Sequence, residues 1–272
     1  MSSNIHKMKI ILATDFSQEN QTLVPYALDL LKETGGTIVL FHAFHEDDNV
    51  TKSSALAKMD SCVALLNDGI NTLQAEHVRI VPRFEVGDPE TLLLRLIASE
   101  KADLVLMGTR GRGRKRFLEG SLSKKLMLES PVPLLSIHEE YQYKPSSEVL
   151  YATSLNKSDV KNISKIFELL KPFNPHLHVI HFILDQEPEK ASKAMKKLED
   201  SLKYMDFADR ITYKFVNTTS TKSAMKTYCE ENQISLAAFI PYRKRFYHLF
   251  YKDTFTKEDF YDLHIPLLTF KR

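Results

Sequence analysis

The amino-acid sequence contains the same unit twice, and this repeat restricts the chain to a fold built from two similar parts. Leu12–Thr14 matches Tyr151–Thr153 at an offset of 151 − 12 = 139 residues. The two copies also end alike, in Val132–Ile137 and Ile265–Phe270. A chain of 272 residues is long enough to form two domains, each with a core of its own.

A polar segment separates the two copies. Glu139–Ser147 contains Pro145 and two serines, a composition typical of a linker. We therefore predict two domains, residues 1–143 and residues 144–272.

Within each copy, short apolar runs alternate with segments of helical period, which is the pattern of an α/β fold with a parallel sheet covered by helices. Asp88 and Pro89 predict the start of one helix, and Ser17 and Ser121 the starts of two others. A long helix is predicted before the third strand, with Gly69 as a weak point. The predicted strands are Met8–Thr14, Thr37–Ala43, Val78–Val86, Asp103–Gly108, Val132–Ile137, Val149–Thr153, Leu177–Ile183, Arg210–Val216, Ser235–Ile240 and Ile265–Phe270.

Three loops of the first copy follow strand ends, where doubly wound sheets bind their ligands. Asp15 follows the first strand, Ala43 and Phe44 close the second, and a glycine-rich stretch, residues 108–121, follows the fourth. Glycines let backbone N–H groups approach an anion, and a following helix N-terminus adds partial positive charge. The stretch therefore indicates a phosphate site, although it lacks the Gly-Lys-Ser/Thr ending of a Walker A motif.

These residues resemble the universal stress protein (UspA-like) family. Its pattern places an Asp after strand one and, after strand four, Gly, two residues, Gly, nine residues, then Gly and Ser/Thr. The resemblance covers the whole first copy, from Ile11–Ser17 to Ser130–Ile137, and the second copy more faintly. It implies two tandem doubly wound five-stranded parallel-sheet domains related by a pseudo-twofold axis, strand order 3-2-1-4-5 in each, an ATP or AMP site, and dimer contacts through the last strand.

Carried over position by position, the resemblance implies that Asp15 contacts the ribose and the backbone near Ala43 contacts adenine. The glycines and the serine of the motif then hold the phosphates, to which Mg²⁺ can also bind. The nucleotide-contacting residues that it implies are Ala13, Asp15, Ala43, Met107, Gly108, Arg110, Gly111, Gly120, Ser121 and Leu122.

The glycine loop departs from the family pattern in length. Gly111 and Gly120 are separated by 120 − 111 − 1 = 8 residues, one fewer than the pattern has. Glu119 adds negative charge near the implied phosphates, whereas five cations between Arg110 and Arg116 can offset it. We expect nucleotide binding to be retained, and a solvated basic loop is the alternative.

The second copy lacks these features. Ser154 stands where the first copy has Asp15, and Ile240 stands where it has Gly108, with no glycine from there to Arg272. The second domain is therefore not expected to bind nucleotide. Its aromatic segment, residues 246–261, is interpreted as packing over the core, with a partner surface as the alternative.

Three histidines of the second copy raise the question of a metal. His176 and His178 share one strand face, but His181 points to the other, and no fourth ligand is apparent nearby. We interpret them as ordinary strand histidines and predict no metal site. His42 and His181 occupy the same repeat position and are interpreted as part of the packing pattern.

The remaining composition restricts compartment and partners. A net charge of +2 gives no general field for nucleic acid or an acidic membrane, and Cys62 and Cys229 lie in no ligand pattern. The apolar run Ile10–Ala13 is too short for a signal peptide. We expect a cytoplasmic, homodimeric nucleotide sensor or signalling module of the stress response, with an unidentified protein partner. No catalytic constellation is evident, so the alternatives are a slow ATP hydrolase and a nucleotide-free scaffold.

Overall fold

A computed structural model of the chain describes residues 7–16, 20–44, 52–109, 122–138, 141–183, 188–241 and 264–271. The chain divides into two compact units, Met1–Tyr143 and Lys144–Arg272, which we call unit 1 and unit 2.

Unit 1 is an α/β domain. Its strands are β1 (Met8–Ala13), β2 (Gly36–Phe44), β3 (Val78–Val86), β4 (Leu104–Thr109) and β5 (Leu134–His138). Its helices are α1 (Asn20–Leu31), α2 (Lys52–Thr72), α3 (Pro89–Glu100) and α4 (Leu122–Glu129). All four strand pairings are parallel, and the order in the sheet is β3-β2-β1-β4-β5.

Unit 2 repeats this arrangement. Its strands are β6 (Glu148–Ala152), β7 (His176–Ile183), β8 (Ile211–Asn217), β9 (Leu236–Phe239) and β10 (Leu267–Thr269). Its helices are α5 (Asp159–Leu169), α6 (Pro188–Leu202) and α7 (Thr221–Glu231), with short 3-10 turns at Lys171–Phe173 and Ala208–Arg210. The parallel order β8-β7-β6-β9-β10 confirms, with that of unit 1, the predicted order 3-2-1-4-5 in each domain.

The central strands form the core of each unit. Ile10, Ile11 and Leu12 of β1 are all fully buried, because a parallel strand covered by helices has no solvent face and reads as a continuous apolar run. In unit 2, Val149 and Leu150 of β6 are buried in the same way.

Local sequence signals explain several element ends. The side chain of Asp88 accepts a hydrogen bond from the backbone N–H of Thr91 at 2.8 Å, with Pro89 as the first residue of α3, so the predicted cap is confirmed. A Cβ atom at Gly69 would lie 2.4 Å from Cδ1 of Leu28 in α1. The glycine predicted as a weak point of α2 therefore marks a close contact between α1 and α2.

Residues 141–143, within the segment predicted as a linker, pack against α1. Thr22 donates a hydrogen bond to the carbonyl oxygen of Tyr141 at 3.2 Å, and the Tyr143 hydroxyl donates to Asp29. The rings of Tyr26 and Tyr143 meet edge to face, with centroids 5.5 Å apart. Residues 141–143 are thus part of unit 1, which places the division of the chain after Tyr143.

The strand limits agree with the predicted ones to within two residues, and β3 matches its prediction at both ends. Strand β4 extends to Thr109 instead of ending at Gly108, and β5 begins at Leu134 instead of Val132. Among the helices that the structure describes, none is long and apolar enough to cross a membrane.

Candidate functional site

The candidate site lies at the carboxyl ends of β2, β1 and β4. Strands β1, β2 and β3 run to one side of the sheet, while β4 and β5 lie on the other side of β1. Strand order therefore reverses between β1 and β4, which is the switch point where doubly wound sheets bind ligands. Ala13 is in register with Phe41 of β2 and with Met107 of β4.

Five of the implied contact residues lie at or next to these strand ends: Ala13, Asp15, Ala43, Met107 and Gly108. Asp15 follows β1 and is partly buried, whereas Ala43 near the end of β2 is 4% exposed. Met107 and Gly108 are buried near the end of β4. Leu122, the sixth implied residue that the structure describes, is the first residue of α4.

The other implied residues lie outside the part of the chain that the structure describes. These are Arg110, Gly111, Gly120 and Ser121, together with the predicted helix start at Ser17 and the aromatic segment 246–261.

The turn that carries Asp15 has a defined backbone geometry. The N–H of Thr14 donates to the carbonyl oxygen of Phe41 at 3.0 Å, continuing the β1–β2 ladder by one residue. The N–H of Phe16 then bends back to the Thr14 hydroxyl at 2.8 Å, and Phe16 adopts a left-handed conformation with φ 61°. Asp15 therefore lies between two residues whose backbone positions are fixed.

His42 of β2 contacts this turn through its ring. Its Nδ1 lies 2.8 Å from the carbonyl oxygen of Thr14, and because a carbonyl can only accept, Nδ1–H is the donor. The centroids of the His42 and Phe16 rings are 4.2 Å apart, and those of the His42 ring and the Phe84 ring of β3 are 5.8 Å apart. The sequence alone led us to interpret His42 as a packing residue and to miss its hydrogen bond to the turn. The signal that could have indicated this bond is the repeat, because His42 and His181 occupy the same position in the two copies.

Unit 2 contains the same turn without the acidic residue. Its Thr153 N–H donates to the carbonyl oxygen of Ile180 at 2.9 Å, and Leu155 N–H donates to the Thr153 hydroxyl at 2.8 Å with φ 55°. His181 Nδ1 lies 2.9 Å from the Thr153 carbonyl oxygen. Ser154 takes the place of Asp15 and is exposed.

The end of β9 also differs from the end of β4. Ala152 is in register with Phe239, as Ala13 is with Met107, so Ile240 occupies the place of Gly108. Ile240 is 5% exposed, and its side chain occupies space at a position where unit 1 presents only backbone.

A buried carboxylate stands beside the unit 2 turn. Asp159, the first residue of α5, is fully buried and accepts hydrogen bonds from Tyr151, Thr153 and the backbone N–H of Asn156 at 2.8, 2.6 and 2.8 Å. Burial raises its pKa, while the hydrogen bonds from Thr153, Tyr151 and Asn156 oppose that shift. Sequence reasoning missed this group, because the repeat aligns Asp159 with Asn20 (159 − 139 = 20) and no motif marks it.

The two histidines at the start of β7 have partners within the protein. Nε2 of His178 donates to Glu148 at 2.8 Å, and its Nδ1 lies 2.9 Å from the Tyr228 hydroxyl. His176 bonds to the hydroxyl of Thr212 at 2.8 Å. Among the residues that the structure describes, no three acidic, histidine or cysteine side chains are grouped as metal ligands would be.

Comparison with known proteins gives the family of unit 1. Residues 7–138 match the model of the universal stress protein family. A curated protein of Thermus aquaticus, the universal stress protein in the QAH/OAS sulfhydrylase 3'region, is 45% identical over 53 residues. This match covers 19% of the chain and spans 38% of the relative's length.

Solved structures show the same fold over nearly the whole chain. A universal stress protein from Archaeoglobus fulgidus is similar with a TM-score of 0.67 and 17% identity, over 97% of this chain and 98% of that one. A functionally unknown protein of Pseudomonas aeruginosa is similar with a TM-score of 0.63 and 14% identity, over 98% of this chain and 93% of that one. The cytoplasmic domain of a prokaryotic cation chloride cotransporter is similar with a TM-score of 0.55 and 10% identity, over 97% of this chain and 95% of that one. Residues 7–138 form a domain of the universal stress protein family, and unit 2 repeats the fold of that domain.

Proposed function

We propose that unit 1 binds an adenine nucleotide, ATP or AMP, and that the chain acts as a nucleotide-dependent sensor or signalling protein. Membership of the universal stress protein family supports a role in the stress response. The fold alone does not supply the function, since a transporter's cytoplasmic domain shares it. The proposal therefore rests on the residues at the switch point.

One observation carries this proposal: Asp15 lies just after β1, and Gly108 lies one residue before the end of β4, the two strands that flank the switch point. A partly buried carboxylate can accept hydrogen bonds from the two hydroxyls of a ribose. A glycine near the end of the neighbouring strand has no side chain that would obstruct a phosphate. Asp15 and Gly108 thus suit a nucleotide, with the glycine-rich stretch 108–121 supplying the phosphate contacts.

Unit 2 is proposed to bind no nucleotide. Ser154 cannot replace the charge of Asp15, and the buried side chain of Ile240 stands where unit 1 has a glycine. Nucleotide bound only in unit 1 would then change the chain's interaction with a protein partner by favouring one conformation over another.

Thermal unfolding of nucleotide-stripped protein, with and without ATP or AMP in the presence of Mg²⁺, tests the proposal. A ligand at 100 times its Kd stabilises the native state by about 2.7 kcal/mol. We expect this gain for the wild type and for Ser154→Ala, the matched variant of unit 2, and a smaller gain for Asp15→Ala. No gain for the wild type at millimolar nucleotide would contradict the proposal and favour a nucleotide-free scaffold.

Phosphate release separates the sensor from the alternative of a slow ATP hydrolase. Hydrolysis requires a positioned water and a group that accepts its proton. Multiple turnovers of ATP by the wild type that disappear in Asp15→Ala would favour the hydrolase. Binding without turnover agrees with the sensor.

A further inference from the structure

The two neighbours of Asp15 both contact one side chain, His42. Thr14, before Asp15, accepts the hydrogen bond from Nδ1 of His42 at 2.8 Å. Phe16, after Asp15, places its ring 4.2 Å from the imidazole centroid, at an interplanar angle of 37°. His42 also directly precedes Ala43, so a single ring connects the Asp15 turn to the end of β2.

Unit 2 shows which of these contacts the fold itself requires. Its His181 keeps the hydrogen bond to the turn, at 2.9 Å, although Ser154 replaces the acidic residue. The ring contact is not kept, because Leu155 stands in place of Phe16 with nearly the same φ, 55° against 61°. The hydrogen bond therefore belongs to the turn in both units, whereas the ring pair accompanies the aspartate.

We propose that the Phe16–His42 ring pair is a positioning element for nucleotide binding, which holds the carboxylate of Asp15 where it receives the ribose hydroxyls. This inference rests on the proposed function of unit 1. Phe16 and His42 act through Asp15 and not through the phosphates, so their effect is on the affinity for the nucleoside part of the ligand. A rigid carboxylate loses less conformational freedom on binding than a mobile one, and pre-organisation of this kind increases affinity.

The chain itself supplies the substitution that tests the ring pair. Phe16→Leu installs the residue that unit 2 uses at the same backbone conformation, so the turn is expected to keep its geometry and the unfolding midpoint to change little. Affinity for AMP, measured by isothermal titration calorimetry, is expected to fall about two- to tenfold, the range for one aromatic contact. Leu155→Phe, the reciprocal change in unit 2, is the matched control and should leave the affinity for AMP unchanged.

A second variant separates the ring of His42 from its hydrogen bond. His42→Asn keeps a donor near the position of Nδ1 and removes the ring, so it is expected to weaken AMP binding to a similar degree as Phe16→Leu. His181→Asn is its control in unit 2 and should leave the affinity for AMP unchanged.

A double-mutant cycle tests whether the ring pair acts through Asp15. If it does, Phe16→Leu weakens AMP binding in the wild type but has little further effect in Asp15→Ala, since the positioned group is then absent. Equal losses in both backgrounds would overturn the inference, because Phe16 would then act independently of Asp15. Wild-type affinity in Phe16→Leu would overturn the inference alone. Failure of the wild type to bind AMP and ATP would overturn the proposed function and the inference together.

Discussion

The carboxylate of Asp159 lies 2.6 Å from the hydroxyl of Thr153, in the interior of unit 2 and beside the turn that corresponds to the candidate site of unit 1. Tyr151 and Asn156 donate to the same carboxylate, and Asn162 donates in turn to the Tyr151 hydroxyl at 3.2 Å. The repeat places Leu12 and Leu23 where unit 2 has Tyr151 and Asn162 (offset 139). At these two positions unit 2 has polar side chains, joined to each other and to Asp159 by hydrogen bonds, where unit 1 has leucines.

Removal of the Asp159 carboxylate should destabilise unit 2. Asp159→Ala leaves three donors unpaired, two of them hydroxyls of buried side chains, and we expect a loss of about 2–4 kcal/mol in the free energy of unfolding. Asp159→Asn keeps an acceptor of the same size and should lose less. Chemical denaturation at neutral pH measures both, and equal losses for the two variants would contradict the network.

The same carboxylate should give unit 2 a characteristic pH dependence. Burial raises the pKa of Asp159 in the folded state above its value in the unfolded chain, so the folded state binds the proton more tightly. Its contribution to stability is complete below the pKa of an unfolded aspartate, about 3.9, and is lost as pH rises through the folded pKa. We expect the wild type to lose stability relative to Asp159→Asn as pH rises from about 4 towards neutrality. A relative gain over this range would show that hydrogen bonding outweighs burial.

The hydroxyl of Tyr228 should contribute to stability through His178. Glu148 fixes the proton on Nε2 of the imidazole, so Nδ1 accepts from the tyrosine when the ring is neutral. Tyr228→Phe removes the partner of Nδ1 on a histidine that is 9% exposed, which we expect to cost about 1 kcal/mol. Tyr204→Phe is the control, because Tyr204 is 88% exposed and should change unfolding little. Equal losses of stability for Tyr228→Phe and Tyr204→Phe in urea denaturation would argue against the hydrogen bond between Tyr228 and His178.

Both cysteines should be unreactive in the folded protein. Burial raises the pKa of Cys62 to about 11 and that of Cys229 to about 12. At pH 8, alkylation should be slower than that of a free thiol by about a hundredfold or more, since only the thiolate reacts. Iodoacetamide labelling followed by mass spectrometry measures the rates. Fast labelling of either residue without unfolding would contradict its burial.

The fold followed from the sequence because the signals were local and repeated. The continuous apolar run Ile10–Leu12 indicates a strand buried on both faces, and the Asp88–Pro89 pair marks a helix start by a mechanism confined to one turn. The strand order came from the family resemblance and is confirmed in each unit.

The contacts around the candidate site could be predicted only in part. The positions of Asp15 and Gly108 at strand ends follow from the motif, but the bond from His42 to Thr14 joins residues 28 apart and depends on the β1–β2 register. The Asp159 network depends on Tyr151 and Thr153, near the end of β6, meeting the first residue of α5 in the folded interior. An aspartate at a helix start is common, so Asp159 alone does not indicate such a network. Such convergence leaves no periodic pattern in the sequence.

The number of nucleotides bound per chain tests the central claim most directly, namely that unit 1 binds an adenine nucleotide and unit 2 does not. Isothermal titration of nucleotide-stripped protein with AMP, and with ATP and Mg²⁺, gives this number. We predict one nucleotide per chain, with affinity reduced in Asp15→Ala and unchanged in Ser154→Ala. Two nucleotides per chain would contradict the assignment of unit 2, and no binding of either nucleotide would contradict the assignment of unit 1.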